Sequence, residues 1–307
     1  MNAEEWRQRA ADHAARIDRY VAPHLARRQA AVKHPVFDFL FTYYSFRPAQ
    51  LRRWHPGFGV TLDDAAEYAN LKGYGVGCAE VTPGSPSATR LTVTEQYLAS
   101  QLTLVSSTHR LLTATAGRTP HFGCFGLHEW AMVYRLAEDE TRHADWPLRL
   151  GPTGTDEVVE GHRIACSHFD AYRFFTPPAR PLNTLSPGRD DRPDFEQPGC
   201  LHAGMDLYGK VAVRLSPMIS SDLVADAFEL AWDIRVMDMR AAPYDLSGLD
   251  LGDDEWTPIK IETPEGKREY ADGQRHLSER AGPIRQKLIN ECQRLLGTSS
   301  AQEAAKP

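Results

Sequence analysis

The chain has 307 residues, 42% of them hydrophobic and 25% charged, with a formal net charge of −6, the composition of an ordinary globular fold. The longest apolar stretch, Val36 to Phe46, is broken by Asp38, Thr42 and Ser45, well short of the roughly 20 apolar residues of a membrane span, so no membrane partner is expected. Five widely spaced cysteines without a CxxC pair, behind a charged start that lacks a signal-peptide core, exclude a disulfide framework and point to a cytoplasmic location.

Charge is uneven along the chain: residues 1–60 carry +5 and the remainder −11. An arginine-rich N-terminal region can face phosphates, including those of DNA, or can be a solvated helix face. Its first element reads as a helix, because Trp6, Ala10, His13, Ile17, Tyr20, Val21 and Leu25 trace one apolar stripe. Pro23 is placed to kink or split that helix. A second short helix runs from Arg47-Pro48 to Trp54 and stops at Pro56-Gly57. Thr61 and Asp64 resemble a capping box for a helix through Asn70. The GYGVG at 73–77 lacks the strand-to-helix setting of a dinucleotide fingerprint.

Residues 82–90 read as a surface loop and Leu91 to Ala116 as one long helix stopped by Gly117. The segment Phe122 to Arg135 follows, with His128 and Glu129 set among apolar and aromatic residues and a helix expected from about Leu127 to Ala137. Two ionisable side chains in such surroundings need partners, and their protonation is open to large shifts. Adjacent helical positions point about 100° apart, so one of the two faces a site while the other pairs elsewhere. Met132 stands where HExxH would need its second histidine, which excludes that zinc signature.

Further along, a helix over Thr155–Gly161 precedes Ile164, Cys166, His168, Asp170 and Tyr172, which alternate. If that piece is extended, His168 and Asp170 share a face, as metal ligands or as an oriented acid-base pair. Residues 176–199 hold six prolines and read as a long loop, with Arg180, Asn183 and DDRPDFE able to act as a lid. In the helix expected over Cys200–Leu215, His202 and Asp206 are four residues apart on one face, a spacing that suits two ligands or a histidine oriented by a carboxylate. A clear helix covers Ser221 to Met239, with Ser221 as its cap, and Asp238 and Arg240 at its end read most simply as an ion pair, with a role in the site as the alternative. Ile259 and Ile261 form a short extended piece, Thr263-Pro264 opens a helix, and a last amphipathic helix spans Pro283 to Leu296. The expected fold is mainly α: a single helical domain over residues 1–297, a small β element around residues 148–174 and 259–261, and a disordered tail at 298–307.

The segments HPVFDFLFTYY with LRRWHPGFG, HFDAYRFFTPPARPLN, and HAGMDLYGK through DMRAAPYDL resemble a family of bacterial proteins labelled 3-methyladenine DNA glycosylase, over about residues 30 to 290. The resemblance implies hydrolysis of the N-glycosidic bond of an alkylated purine in DNA repair. Under it, Asp206, Glu129 or His128 would be catalytic, and Phe122, Phe125, Trp130, Tyr172 and Phe174 would stack a flipped base. Arg173 and Asn183 would contact substrate and the arginine-rich N-terminal region would meet phosphates. The chain departs from better understood glycosylases in having no LPGVG-type hairpin followed by an aspartate, and in its acidic balance. The residues alone support a second reading, a metal-dependent enzyme acting on a small molecule, with His128, His168, Asp170, His202 and Asp206 around zinc, iron or manganese. A third is a non-enzymatic helical binding protein whose buried histidines only hydrogen-bond.

Overall fold

The computed structural model describes residues 1–44, 46–77, 89–136, 146–249 and 257–304, with side chains as far as residue 298. It is mainly α-helical with one small three-stranded sheet. No described helix is long and apolar enough to cross a membrane.

Helix α1, Ala3–Gln29, opens on Asn2, whose side chain accepts from the Glu5 N–H; Glu4 and Glu5 in its first turn and Arg27 and Arg28 in its last complement the helix dipole. Pro23 lies within it and the helix runs on as one. Two short helices follow, α2 (Phe39–Tyr43) and α3 (Pro48–Arg52), the latter packed on α1. Strands β1 (Thr61–Leu62), β2 (Tyr74–Val76) and β3 (Leu91–Val93) pair antiparallel in the order β1-β3-β2. The small β element therefore lies here and not around residues 148–174 or 259–261. In the former span, Leu148 and Ile164 make only single bridges, to Tyr244 and Asn183. The helix expected from Thr61 to Asn70 is likewise replaced by β1 and a 3₁₀ turn at Ala66–Tyr68.

Helix α4, Glu95–Ala116, starts at Thr94, which accepts from the Tyr97 N–H; the first residues of the expected long helix are β3 instead. The focal segment forms only a short helix, α5 (Leu127–Ala131). Then come α6 (Gly151–Glu160), α7 (Phe169–Tyr172) and α8 (Arg192–Phe195). Residues 201–215 are one helical run: α9 (Leu201–Asp206), a π-helical turn (Leu207–Ala212) and α10 (Val213–Leu215).

Helix α11, Ser221–Arg240, is capped by Ser220 rather than Ser221 and buries residues on nearly every side, from Leu223 to Met239. A helix apolar all round sits inside a fold, and α11 packs against α1, α9, the π-helical turn and the last helix, α12 (Pro264–Ala304). That last element is a single helix containing Pro283 and passing Gly297, where two helices and a stop were expected; residues 305–307 lie outside the described chain. One main core joins Ile17 on α1 to Leu295 on α12, with satellites around Trp54 and Tyr244. The polar site lies where α5, α9 and α11 meet inside this core.

Candidate active site

Gly126 takes a left-handed backbone with φ +69°, and a side chain there would press on Tyr270, so the chain enters α5 through a turn that favours glycine. The turn delivers His128 into the interior, 5% exposed. Its Nε2 lies 3.2 Å from Oδ1 of Asp238, which α11 presents at 1% exposure. The His202 ring from α9 stands edge-on to His128 with centroids 4.4 Å apart. The ligand atoms of His128, His202 and Asp238 all fall within 4.8 Å of one another. Among the described residues, His128 Nε2 and both Asp238 carboxylate oxygens are buried with no partner in hydrogen-bond geometry.

On the other side of His202, the His168 ring lies 5.3 Å away. His168 Nε2 is 3.1 Å from Asp206 Oδ2 and 3.5 Å from Glu196 Oε1, forming a second buried triad. Here cations are already present. The Arg192 guanidinium donates to both Glu196 and Asp206, the latter at 2.7 Å, and Lys210 reaches Asp206 at 3.4 Å while also pairing closely with Asp170. Tyr44 completes the group, its hydroxyl 3.5 Å from Asp206 Oδ1.

Protonation divides the two triads. Burial works against the ionised form of Asp238, yet His128, His202 and Arg235 bring its carboxyl down to about 2. Burial, reinforced by neighbouring His128, holds His202 well below the usual histidine range. Burial disfavours the His128 imidazolium, but Asp238 and Glu129 carry it above its ordinary value. In the second triad burial pushes Asp206 up to about 7 despite Arg192, and burial brings His168 down to about 3. Asp206 is thus a carboxyl that exchanges its proton near neutrality beside a neutral imidazole.

Two cavities flank the site and His202 lines both. The larger, about 940 Å³, is also lined by His128, Phe122, Phe125 and Tyr270. The smaller, about 310 Å³, is lined by Glu129, His168, Asp170, Asp206 and Lys210. His128 and Glu129 therefore diverge, as adjacent helical positions must: Glu129 turns to Arg235, 3.6 Å away, and keeps 3.9 Å from His128 Nε2.

The five expected ligands are split. His128 and His202 share one triad, His168 and Asp206 the other, and Asp170 belongs to neither. Residues 169–172 are helical, which removes the shared face expected of His168 and Asp170; Asp170 pairs with Arg173 at 2.8 Å and with Lys210. Asp238 and Arg240 are not partners either: Arg240 binds Glu269 at 2.9 Å and the Thr257 carbonyl at 2.8 Å. Phe122 and Phe125 line the larger cavity and Phe174 the smaller, so the five rings do not form one stacking pocket. Trp130 is fully buried, its Nε1 donating to the Ala241 carbonyl, and Tyr172 packs on Phe175. Asn183 is a clamp: its side chain accepts from the Cys166 N–H at 2.7 Å and donates to the Cys166 and Leu185 carbonyls. Arg173 lies over the Phe174 ring. Asp238, Glu196 and Arg192 complete the site: the sequence favoured an ion pair for Asp238 and placed Arg192 and Glu196 only within the DDRPDFE flap, not beside the histidines.

What the fold and the site define together is a helical protein with two buried histidine-carboxylate triads joined at one imidazole beside a ligand-sized cavity. Comparison with protein-family models, curated proteins and solved structures gives no match.

Proposed function

We propose that the chain is a metal-dependent hydrolase acting on a small molecule, with a divalent transition metal held by His128, His202 and Asp238. The observation that carries this reading is the buried cluster of His128, His202 and Asp238, whose ligand atoms lie within 4.8 Å of one another and of which His128 Nε2 and both Asp238 oxygens fall outside hydrogen-bond geometry. The His128–Asp238 pair and Arg235 meet part of the demand of these buried atoms for partners, at 3.2 and 3.6 Å, and a cation bound among the three ligands would meet it in better geometry. The 3.2 Å between His128 Nε2 and Asp238 Oδ1 is near the roughly 3.3 Å that separates two ligands each ~2.0 Å from a tetrahedral ion. Two imidazoles and one carboxylate suit zinc, iron or manganese. His202 kept neutral and Asp238 kept ionised are the forms that bind metal, and binding would displace the proton that Asp238 and Glu129 favour on His128.

A metal there would lower the pKa of a bound water and polarise a substrate oxygen. Glu129 and Arg235 flank Asp238, the arginine 3.6 Å from each carboxylate, and hold the site against α11. Asp206, protonated below about 7 and oriented by His168 and Arg192, holds an exchangeable proton in the smaller cavity, on the other side of His202 from the larger one. Elemental analysis of the purified protein tests the reading: near-stoichiometric transition metal supports it, and metal-free protein that takes up none on titration rejects it.

The glycosylase reading keeps one support, the Phe122 and Phe125 rings beside His128 in the larger cavity. Against it, the N-terminal arginines 7, 9, 16, 19, 27 and 52 each pair with a carboxylate of the same chain. Release of 3-methyladenine from methylated duplex DNA would carry that alternative, and no release would end it.

A further inference from the structure

We infer that the 940 Å³ cavity is the substrate pocket and that its substrate is a flat aromatic molecule bearing a carboxylate or a similar single negative charge. This deepens the metal reading and rests on it for the word substrate; the binding claim stands on the cavity's own residues. The volume falls within the range of small-molecule sites, roughly 300 to 1,000 Å³. His128 and His202 form part of its wall, so a molecule inside it reaches the metal ligands directly.

Ring shape follows from the lining. Phe122, Phe125, Phe195 and Tyr270 supply four aromatic faces or edges around one space, and aromatic rings pair with aromatic ligands in offset or edge-on contacts. Phe125 is held at φ +47°, a left-handed backbone that non-glycine residues seldom adopt, with its ring edge-on to Tyr270 at 6.3 Å. Backbone strain of this kind gathers at ligand clamps, where surrounding contacts impose it.

Charge follows from the rim. Arg118 and Arg163 line the cavity with His121 and His162, against a single carboxylate, Asp194. Among the described residues, Arg118 donates to the Pro193 carbonyl and pairs with no carboxylate, and Arg163 has no hydrogen bond or ion pair. In a chain whose net charge is −6, a cavity edge with two arginines lacking carboxylate partners favours an anion. The charged end would sit at the rim and the ring among the phenylalanines, with the reacting bond toward His128 and His202.

The test is isothermal titration calorimetry with 2-naphthoate and its uncharged counterpart 2-naphthalenemethanol, on metal-loaded and on EDTA-treated protein. Gly123 lines the cavity and a Cβ built there meets nothing within 4 Å, so Gly123→Leu adds bulk at the cavity wall from a position with open space for its Cβ. The expected result is millimolar or tighter binding of 2-naphthoate, abolished by Gly123→Leu. Arg163→Gln should weaken it roughly threefold to fivefold, the scale of a partly exposed ion pair, while leaving the alcohol unchanged. Circular dichroism and melting of both variants confirm that they fold. Absence of naphthoate binding, equal affinity for the two probes, or binding untouched by Gly123→Leu would overturn the inference even if the protein holds metal. Binding that persists in a protein that takes up no metal would keep the pocket and remove the hydrolase reading.

Discussion

The two triads on either side of His202 are built from the same kinds of side chain and yet are prepared for different work. Around His168, the carboxylates of Glu196 and Asp206 meet Arg192 and Lys210, so their charge is balanced by cations that the chain itself supplies. Around His128, the arginine or lysine that Asp238 and Glu129 share among the described residues is Arg235, 3.6 Å from each, and Asp238 Oδ1 meets His128 at 3.2 Å outside hydrogen-bond geometry. On the proposed reading, buried carboxylates beside two imidazoles, with one arginine held at 3.6 Å, form the cation site, and the same set with arginine and lysine in contact forms the proton-exchange site. Residue type alone does not distinguish them; the position of the basic side chains does.

This contrast can be broken from the second triad first. Arg192→Ala leaves Glu196 and Asp206 buried without their guanidinium, and should lower the unfolding free energy by about 3 to 5 kcal/mol in urea denaturation. A loss below 1 kcal/mol would mean that the carboxylates are not ionised there. The pH dependence gives the next largest effect. Asp206 titrates near 7 in the folded protein against 3.8 as its ordinary value, so the folded state holds the extra proton between those pH values. Stability relative to Asp206→Asn should therefore fall as pH rises from 4 to 7, by on the order of 3 kcal/mol, and level off above. Parallel stability curves for the two proteins would contradict the assignment.

A smaller change sharpens the geometry. Gly209 sits in the π-helical turn against the Tyr44 ring, and an added Cβ would overlap that ring. Gly209→Ala should cost about 1 to 3 kcal/mol and move Tyr44 away from Asp206, raising the apparent pH of the Asp206 transition, because the Tyr44 hydroxyl favours the ionised carboxyl. Least of all, Arg173→Ala removes an outer ion pair to Asp170 whose arginine is 42% exposed, and should change stability by less than about 1 kcal/mol. A large loss would place Asp170 inside the proton-exchange group.

The sequence made the helical fold legible because α1, α4, α11 and α12 carry long periodic stripes. His128, His168, His202 and Asp206 stood out because polar residues among aromatic ones demand partners, and the four-residue spacing of His202 and Asp206 placed both on one helical face. Strands of two and three residues carry too little alternation to be seen, which is why the sheet was looked for near residue 164. Asp238 was readable in principle: two residues along a helix are about 200° apart, so it cannot point the way Arg240 does, and it follows Ile234 by four residues on the buried stripe. Glu196 left no such trace. It sits in an aperiodic, proline-rich stretch and is buried by contacts with His168 and Arg192, which lie 28 residues and one helical turn away in sequence.

The central claim, that one triad binds metal and the other moves protons, is tested most directly by inductively coupled plasma mass spectrometry of the untagged wild type, Asp238→Asn and Asp206→Asn. The account predicts about one transition-metal ion per chain in the wild type and in Asp206→Asn, and almost none in Asp238→Asn. Equal metal in all three, or metal lost with Asp206 and kept without the Asp238 carboxylate, would contradict it.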